Sequence, residues 1–392
     1  MKRFFLVAIF VLCGANAYAF QDHSGLRIQV DPDEKVFANK ITQDRAIYDI
    51  LLQNLWISND SDKTLKIDKV TISVLRKERV LIERYIETSA IRASAKQIVR
   101  LEKAGALDLY DFQFRTKEQK TAGMSLATSE KLVPSETILM IHQYLTVQGK
   151  PDTVKITVHA LTEDGSKVSA SHHLNVATKP HNSDFIFPLK GDWYIAVGPD
   201  VRGHHRWNVA SEFALDIVKL GENGASFSGS TGKNTSYFIY GAPVRAVADG
   251  VIVGMKSDVR EDETLLRQTG ESVEAHEERS STAQTELLLQ GADGIAGNYV
   301  IIKHKGGSYS QYAHLRPGSL RVKIGERVAQ GDIVGEVGNS GNSSEPHLHF
   351  QVTDGPDVLY ARGLPVTFRR ISNPWTDLND AVLLTGTVVH AK

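Results

Sequence analysis

Cysteine is all but missing from this sequence: 392 residues contain one, Cys13. An excess of either charge is missing too, with 45 basic residues against 46 acidic and no long block of one sign. That balance argues against a nucleic-acid surface. Apolar runs long enough to cross a bilayer, about 20 residues, do not occur after the amino terminus. Apolar residues still make up 41% of the chain, enough for a sizeable core, and the length suits two domains.

The first residues are distinctive. Lys2 and Arg3 precede "FFLVAIFVLCGA", and "NAYA" places small residues at Ala17 and Ala19. This predicts a secretory signal peptide over residues 1–19, cut after Ala19, rather than a membrane anchor. Phe10, Val11 and Leu12 lack the small residues that precede a lipoprotein cysteine. Cleavage takes away Lys2, Arg3 and the only cysteine. The mature chain is therefore expected to be periplasmic or extracellular, without disulfides, and to hold any metal through nitrogen and oxygen.

Residues 20–180 read as short strands. "KTLKIDKVTISVLR", "ETILMIHQYLTV" and "DTVKITVHAL" alternate apolar and polar residues between turn-like clusters. This predicts a β-sandwich of immunoglobulin-like type, with a helix or crossover in "IVRLEKAGALDLYDF". His142, His159, His172 and His173 read as ordinary strand or edge histidines. Pro180 and Pro188 mark a linker over 181–192. A compact antiparallel β domain is expected over 193–370, giving an all-β chain. Its hairpins are read at Asp249–Gly250 and Gly306–Gly307, with "LRVKIGERVAQGDIVGEVG" adding short strands. A charged insertion, 256–296, interrupts it as a helical or mobile excursion, with His276 in solvent. The tail, 371–392, supplies a closing strand.

The chemistry gathers in this second half. In "EPHLHF" a strand alternation puts His347 and His349 on one face and Leu348 and Phe350 on the other. Two adjacent imidazoles are a poor structural choice, because unpartnered buried nitrogens cost about 1–3 kcal/mol each. They make sense around a metal or a reacting group. In "SYSQYAHL" Tyr312 and His314 read as sharing a face. Asp216 lies within the apolar run "FALDIV", where a carboxylate needs a partner or a cation.

The stretches "HHR…FALDI", "YGAPVRAVADGVIVG", "GNYVIIKHKGGSYSQYAHL" and "VKIGERVAQGDIVGEVGNSGNSSEPHLHF", spread over about 193–370, resemble the LytM/lysostaphin-type zinc endopeptidases. Within that family they resemble a subgroup with an extended first motif. The resemblance implies one catalytic Zn²⁺ held by His205, Asp216 and His349, with His204 the alternative first ligand. It assigns His314 and His347 to the substrate, and it implies hydrolysis of peptide bonds in peptidoglycan stem or cross-bridge peptides. His347 is expected to act as general base toward water and His314 to stabilise the oxyanion. No nucleic acid and no membrane are expected as partners of the mature chain. The competing expectation is a non-catalytic relative that regulates a cell-wall amidase.

Overall fold

The computed structural model describes residues 25–31, 35–42, 45–179, 184–201 and 203–392. The expected signal peptide and Cys13 lie outside these residues. Among them, no helix is long and apolar enough to cross a membrane.

The first half contains β1 (Leu26–Asp31), β2 (Lys35–Lys40), β3 (Ile47–Asn59), β4 (Leu65–Arg76) and β5 (Arg79–Glu87). Helix α1 (Thr88–Lys103) and the short α2 (Ala106–Leu109), α3 (Asp111–Phe114) and α4 (Thr116–Thr121) follow. Then come β6 (Ser125–Leu126), β7 (Lys131–Leu132), β8 (Glu136–Gln148), β9 (Thr153–Thr162) and β10 (Lys167–Ala177). The strands are hydrogen-bonded in the order β5-β4-β9-β10-β2-β3-β8-β6, with β1 on β3 and β7 on β4. A parallel β2–β10 pairing joins the two parts, whose other pairings are antiparallel except for β6–β8. They enclose one core, which includes Ile50, Leu52, Ile67, Ile72, Ile138, Ile156 and Val158. The strand alternation thus yields a β unit, joined into one hydrogen-bonded path where an immunoglobulin-like sandwich was expected. The helical segment begins at Thr88, earlier than its sequence suggested, because Ile91, Ala95 and Ile98 form a buried stripe at helical spacing.

The second half is built on a nine-stranded sheet. Its strands are β11 (Gly191–Val197), β12 (Leu215–Val218), β14 (Gly250–Lys256), β15 (Asn298–His304), β16 (Tyr309–Leu315), β17 (Arg327–Val328), β19 (Leu348–Thr353), β20 (Ile371–Ser372) and β21 (Val388–Ala391). They run in the order β17-β14-β15-β16-β19-β12-β11-β21-β20. β13 (Pro243–Arg245) and β18 (Ile333–Glu336) form a separate pair. The tail contributes β20 and β21, as expected of a closing strand. The turn at Gly306–Gly307 does join a hairpin, β15–β16.

Asp249–Gly250 does not make a hairpin: β13 pairs with β18, whereas β14 pairs with β15. The glycine has another reason to be there. A Cβ at Gly250 would lie 2.4 Å from the Ile302 side chain and 2.7 Å from the Lys303 carbonyl, so it permits close strand packing. Nor is 181–192 simply a solvated connection. Phe185, Phe187 and Leu189 are buried in the second core, and Pro188 O accepts from Arg245 N.

The insertion after β14 is ordered as α5 (Val273–Leu288) and α6 (Ala292–Ala296). Ser272 caps α5 by accepting from Ala275 N. Leu288 packs with Phe112 of α3 and with Leu359, so the insertion rests on both halves of the molecule.

Candidate metal centre

Three neighbouring strands, β16, β19 and β12, carry the site. Asp216 lies directly opposite His349, flanked by Leu215 opposite Phe350 and Ile217 opposite Leu348. All four apolar neighbours are buried. The alternation read from "PHLHF" is therefore the one observed: apolar side chains go to the core and His349 to the open face.

The Asp216 carboxylate is the hub. His205 Nε2 donates to its Oδ2 at 2.8 Å, His349 Nδ1 donates to Oδ1 at 2.9 Å, and His347 Nε2 stands 3.5 Å from Oδ1. Burial works to raise the Asp216 pKa. The positive potential of His205 and His347 and the hydrogen bonds from His205 and His349 overcome it, holding the group well below the usual carboxylate range. Burial opposes charge on His349, but acceptors on both ring nitrogens, Asp216 and Gln351, raise its pKa.

His314 reaches the same face by a different route from the one expected. Its backbone is left-handed, φ 59°, which breaks the strand alternation at that residue. Tyr312 consequently points the other way. It is buried in the core against Phe350, and its hydroxyl accepts from Val247 N at 2.9 Å. His314 Nδ1 donates to Ser340 O at 2.8 Å, so its Nε2 faces the cleft. Burial, reinforced by His347 and His349, pushes its pKa well below the ordinary histidine value. His347 Nδ1 donates to Glu345 O at 2.8 Å, again leaving Nε2 toward Asp216. The His314 and His347 rings are 4.7 Å apart.

His204 and His205 share a 3₁₀ turn, His204–Trp207. Both have a ring nitrogen within 4.8 Å of an Asp216 oxygen, but the hydrogen bond to Asp216 belongs to His205. Burial and the adjacent His205 lower the His204 pKa. The five sequence-selected residues, His205, Asp216, His314, His347 and His349, thus stand together, with His204 at the rim.

They line a cleft of about 710 Å³. One wall is α5, through His276, Glu277, Ser280 and Gln284, and the lining also includes Gln113, Val358 and Leu359. His276, expected in solvent, is packed in this wall, with Nδ1 3.1 Å from Arg279 Nη2 and 3.6 Å from Glu271. An isolated histidine in a polar stretch carries no periodic signal of such packing.

Residues 267–358 match the model of peptidase family M23. The chain carries a peptidase M23 domain, of the LytM/lysostaphin family. The matched residues include His314, His347 and His349, while His205 and Asp216 lie before them. Among similar proteins, the cell division protein DipM of Caulobacter vibrioides is 44% identical over 79 residues, covering 20% of this chain and 13% of that protein. The peptidoglycan DD-endopeptidase ShyA of Vibrio cholerae is 37% identical over 79 residues, covering 20% and 16%. The M23 similarity thus spans under a fifth of these relatives' length. The catalytic domain of lysostaphin from Staphylococcus simulans is 17% identical, covers 44% of this chain and 88% of that one, and has a TM-score of 0.24, too low to carry a conclusion.

The donor set fits the zinc that M23 peptidases use. Two imidazoles and a carboxylate converge, and among the described residues Asp216 forms ion pairs with histidines alone, a combination typical of catalytic rather than structural zinc.

Proposed function

We propose that the protein is an exported zinc-dependent endopeptidase that hydrolyses peptide bonds in peptidoglycan stem or cross-bridge peptides. The observation that carries this reading is the placing of two kinds of histidine on one sheet face. His205 and His349 converge on Asp216, while His314 and His347 stand beside them with Nδ1 tied to backbone carbonyls. Export rests on the sequence of residues 1–19, and the substrate class draws on relatives named peptidoglycan DD-endopeptidases.

His205, Asp216 and His349 would hold the ion. Zinc, when bound, supplies Lewis acidity toward the scissile carbonyl and lowers the pKa of water at the site. The rest belongs to the protein. A carbonyl oxygen only accepts, so the His347 Nδ1–H is spent on Glu345 and its Nε2 lone pair is free to take a proton from water. His314 is held in the same tautomer by Ser340. It can donate to an oxyanion only after taking up a proton, which its buried, histidine-rich surroundings resist until negative charge develops beside it. The cleft beside α5, lined by all five residues, would receive the peptide.

The test uses residues 20–392 with stoichiometric zinc and measures amino groups released from purified peptidoglycan. Release by the wild type but not by His349→Ala supports the reading. Zinc bound without release would exclude peptidoglycan hydrolysis by this form of the chain. A second reading, a non-catalytic regulator of a cell-wall amidase, draws on the similarity to a protein named for cell division. It requires neither zinc uptake nor release.

A further inference from the structure

Four buried or half-buried side chains of the first β unit close on one short segment of the second, residues 199–207. Asn39 Nδ2 donates to Pro199 O at 3.0 Å. Asp49 Oδ2 accepts from Arg206 Nη1 at 2.8 Å, and Gln53 Nε2 donates to Arg206 O at 2.6 Å. The His142 ring stacks on Trp207, with centroids 6.1 Å apart and planes 19° from parallel. Asn39, Asp49 and Gln53 are 2%, 0% and 1% exposed, and Arg206 is 0% exposed. Polar groups this deeply buried are costly unless paired, and these pair across the boundary between the two cores.

Arg206 is the pivot. Its guanidinium also donates to Glu212 at 3.2 Å and to Pro199 O at 3.3 Å, and it lies 5.6 Å from the centre of the Phe213 ring. The residue before it is His205. The turn carrying both is one 3₁₀ turn, with no side-chain cap at its start, a length with little rigidity of its own. Its position is therefore set by what grips Arg206 from outside.

We infer that the first β unit is part of the metal centre: Asp49 and Gln53 are positioning residues that hold His205 toward Asp216 by pinning Arg206. This rests on the metal reading proposed above. The grip is divided between side chain and backbone, Asp49 holding the guanidinium and Gln53 the carbonyl. Loss of either loosens the turn without touching a ligand. Groups that orient metal ligands typically change metal affinity about 10–100-fold when removed, and the same range is expected here.

The experiment measures the zinc dissociation constant of the full chain by competition with a chromophoric chelator, alongside the unfolding midpoint of the metal-free protein. Asp49→Asn and Gln53→Ala are compared with Ser58→Ala. The last breaks a buried hydrogen bond to Thr137 inside the first β unit, far from the turn in its contacts. The expected result is zinc binding weakened by about 10–100-fold in the first two and unchanged in the third. Lowered midpoints with unchanged zinc affinity in Asp49→Asn and Gln53→Ala would reduce the contact to a structural interface and overturn the inference. Should Asp49→Asn fail to fold, Gln53→Ala decides, since it leaves the Asp49–Arg206 pair intact. A wild-type chain that takes up no zinc would instead refute the metal reading, and the inference with it.

Discussion

Replacing Gly297 with alanine should damage catalysis from a position that touches no substrate. Gly297 sits at φ +63°, and a Cβ built on it would lie 2.3 Å from Ser340 O and 2.4 Å from Ser340 C, where carbons essentially never approach within 3.0 Å. The carbonyl must retreat by about 0.7 Å, and that same carbonyl accepts from His314 Nδ1 at 2.8 Å. A retreat along this bond stretches it to about 3.5 Å, the edge of useful hydrogen bonding. Two costs follow for stability: about 1–3 kcal/mol for an alanine at φ 63°, ψ −133°, a backbone that favours glycine, and about 1–3 kcal/mol for the crowding. For turnover, misplacing a reacting group by about 1 Å costs roughly 10²-fold. The assay compares kcat on peptidoglycan peptides at a temperature where the variant is folded, with Gly318→Ala as control. Gly318 has nearly the same φ, +69°, but nothing within 4 Å of its Cβ, so it bears only the backbone cost and should keep full activity. Wild-type turnover in Gly297→Ala would refute the placing of Ser340 as the group that orients His314.

Three further outcomes are expected. His347→Ala should lower kcat by about 10²–10⁴-fold while zinc content, measured by atomic absorption, stays stoichiometric; loss of zinc would move His347 among the ligands. Phe350→Ala, at a fully buried ring 5.3 Å from Tyr312 and 5.7 Å from Phe368, should cost about 3–5 kcal/mol in urea unfolding, and an unchanged midpoint would contradict the packing beneath His349. Hydrogen bonds from Arg92 bring the Glu130 pKa down to about 2. Its contribution should be complete above the ordinary carboxylate value and lost as pH falls toward 2, so the stability gap between wild type and Glu130→Gln should close over that interval; a gap independent of pH would exclude the ion pair as its source.

The parts of the site legible in the sequence were those governed by local periodicity. The two-residue alternation placed His347 and His349 together and sent Leu348 and Phe350 inward, and a lone carboxylate in "FALDIV" marked Asp216. What escaped was set by contacts distant in sequence or by one backbone angle. The left-handed conformation at His314 reversed its face relative to Tyr312, which alternation alone could not reveal. The aspartate–glycine pair at 249–250 looked like a turn because close strand packing and tight turning both ask for glycine. Nothing local in the sequence marks Asp49 and Gln53, since their partner Arg206 is more than 150 residues away. His142, read as an ordinary strand histidine, stacks on Trp207 for the same reason. The insertion that forms α5 read as a charged, helical or mobile excursion, but its place in the wall of the cleft had no local signal.

The site's residues are also far apart along the chain: Asp216 meets His349 across 133 positions, and Arg206 meets Asp49 across 157. His205 and Asp216 lie only 11 positions apart, but the third expected ligand, His349, joins them only when β12 and β19 have paired. The complete set of three expected ligands therefore forms only with long-range strand pairing, unlike that of small modules that fold around their metal. Non-local strand pairing of this kind is the slow part of folding, and the three-ligand site is complete only when that pairing is. Binding by all three expected ligands would then come late in folding, and its rate would report when β12 and β19 have paired.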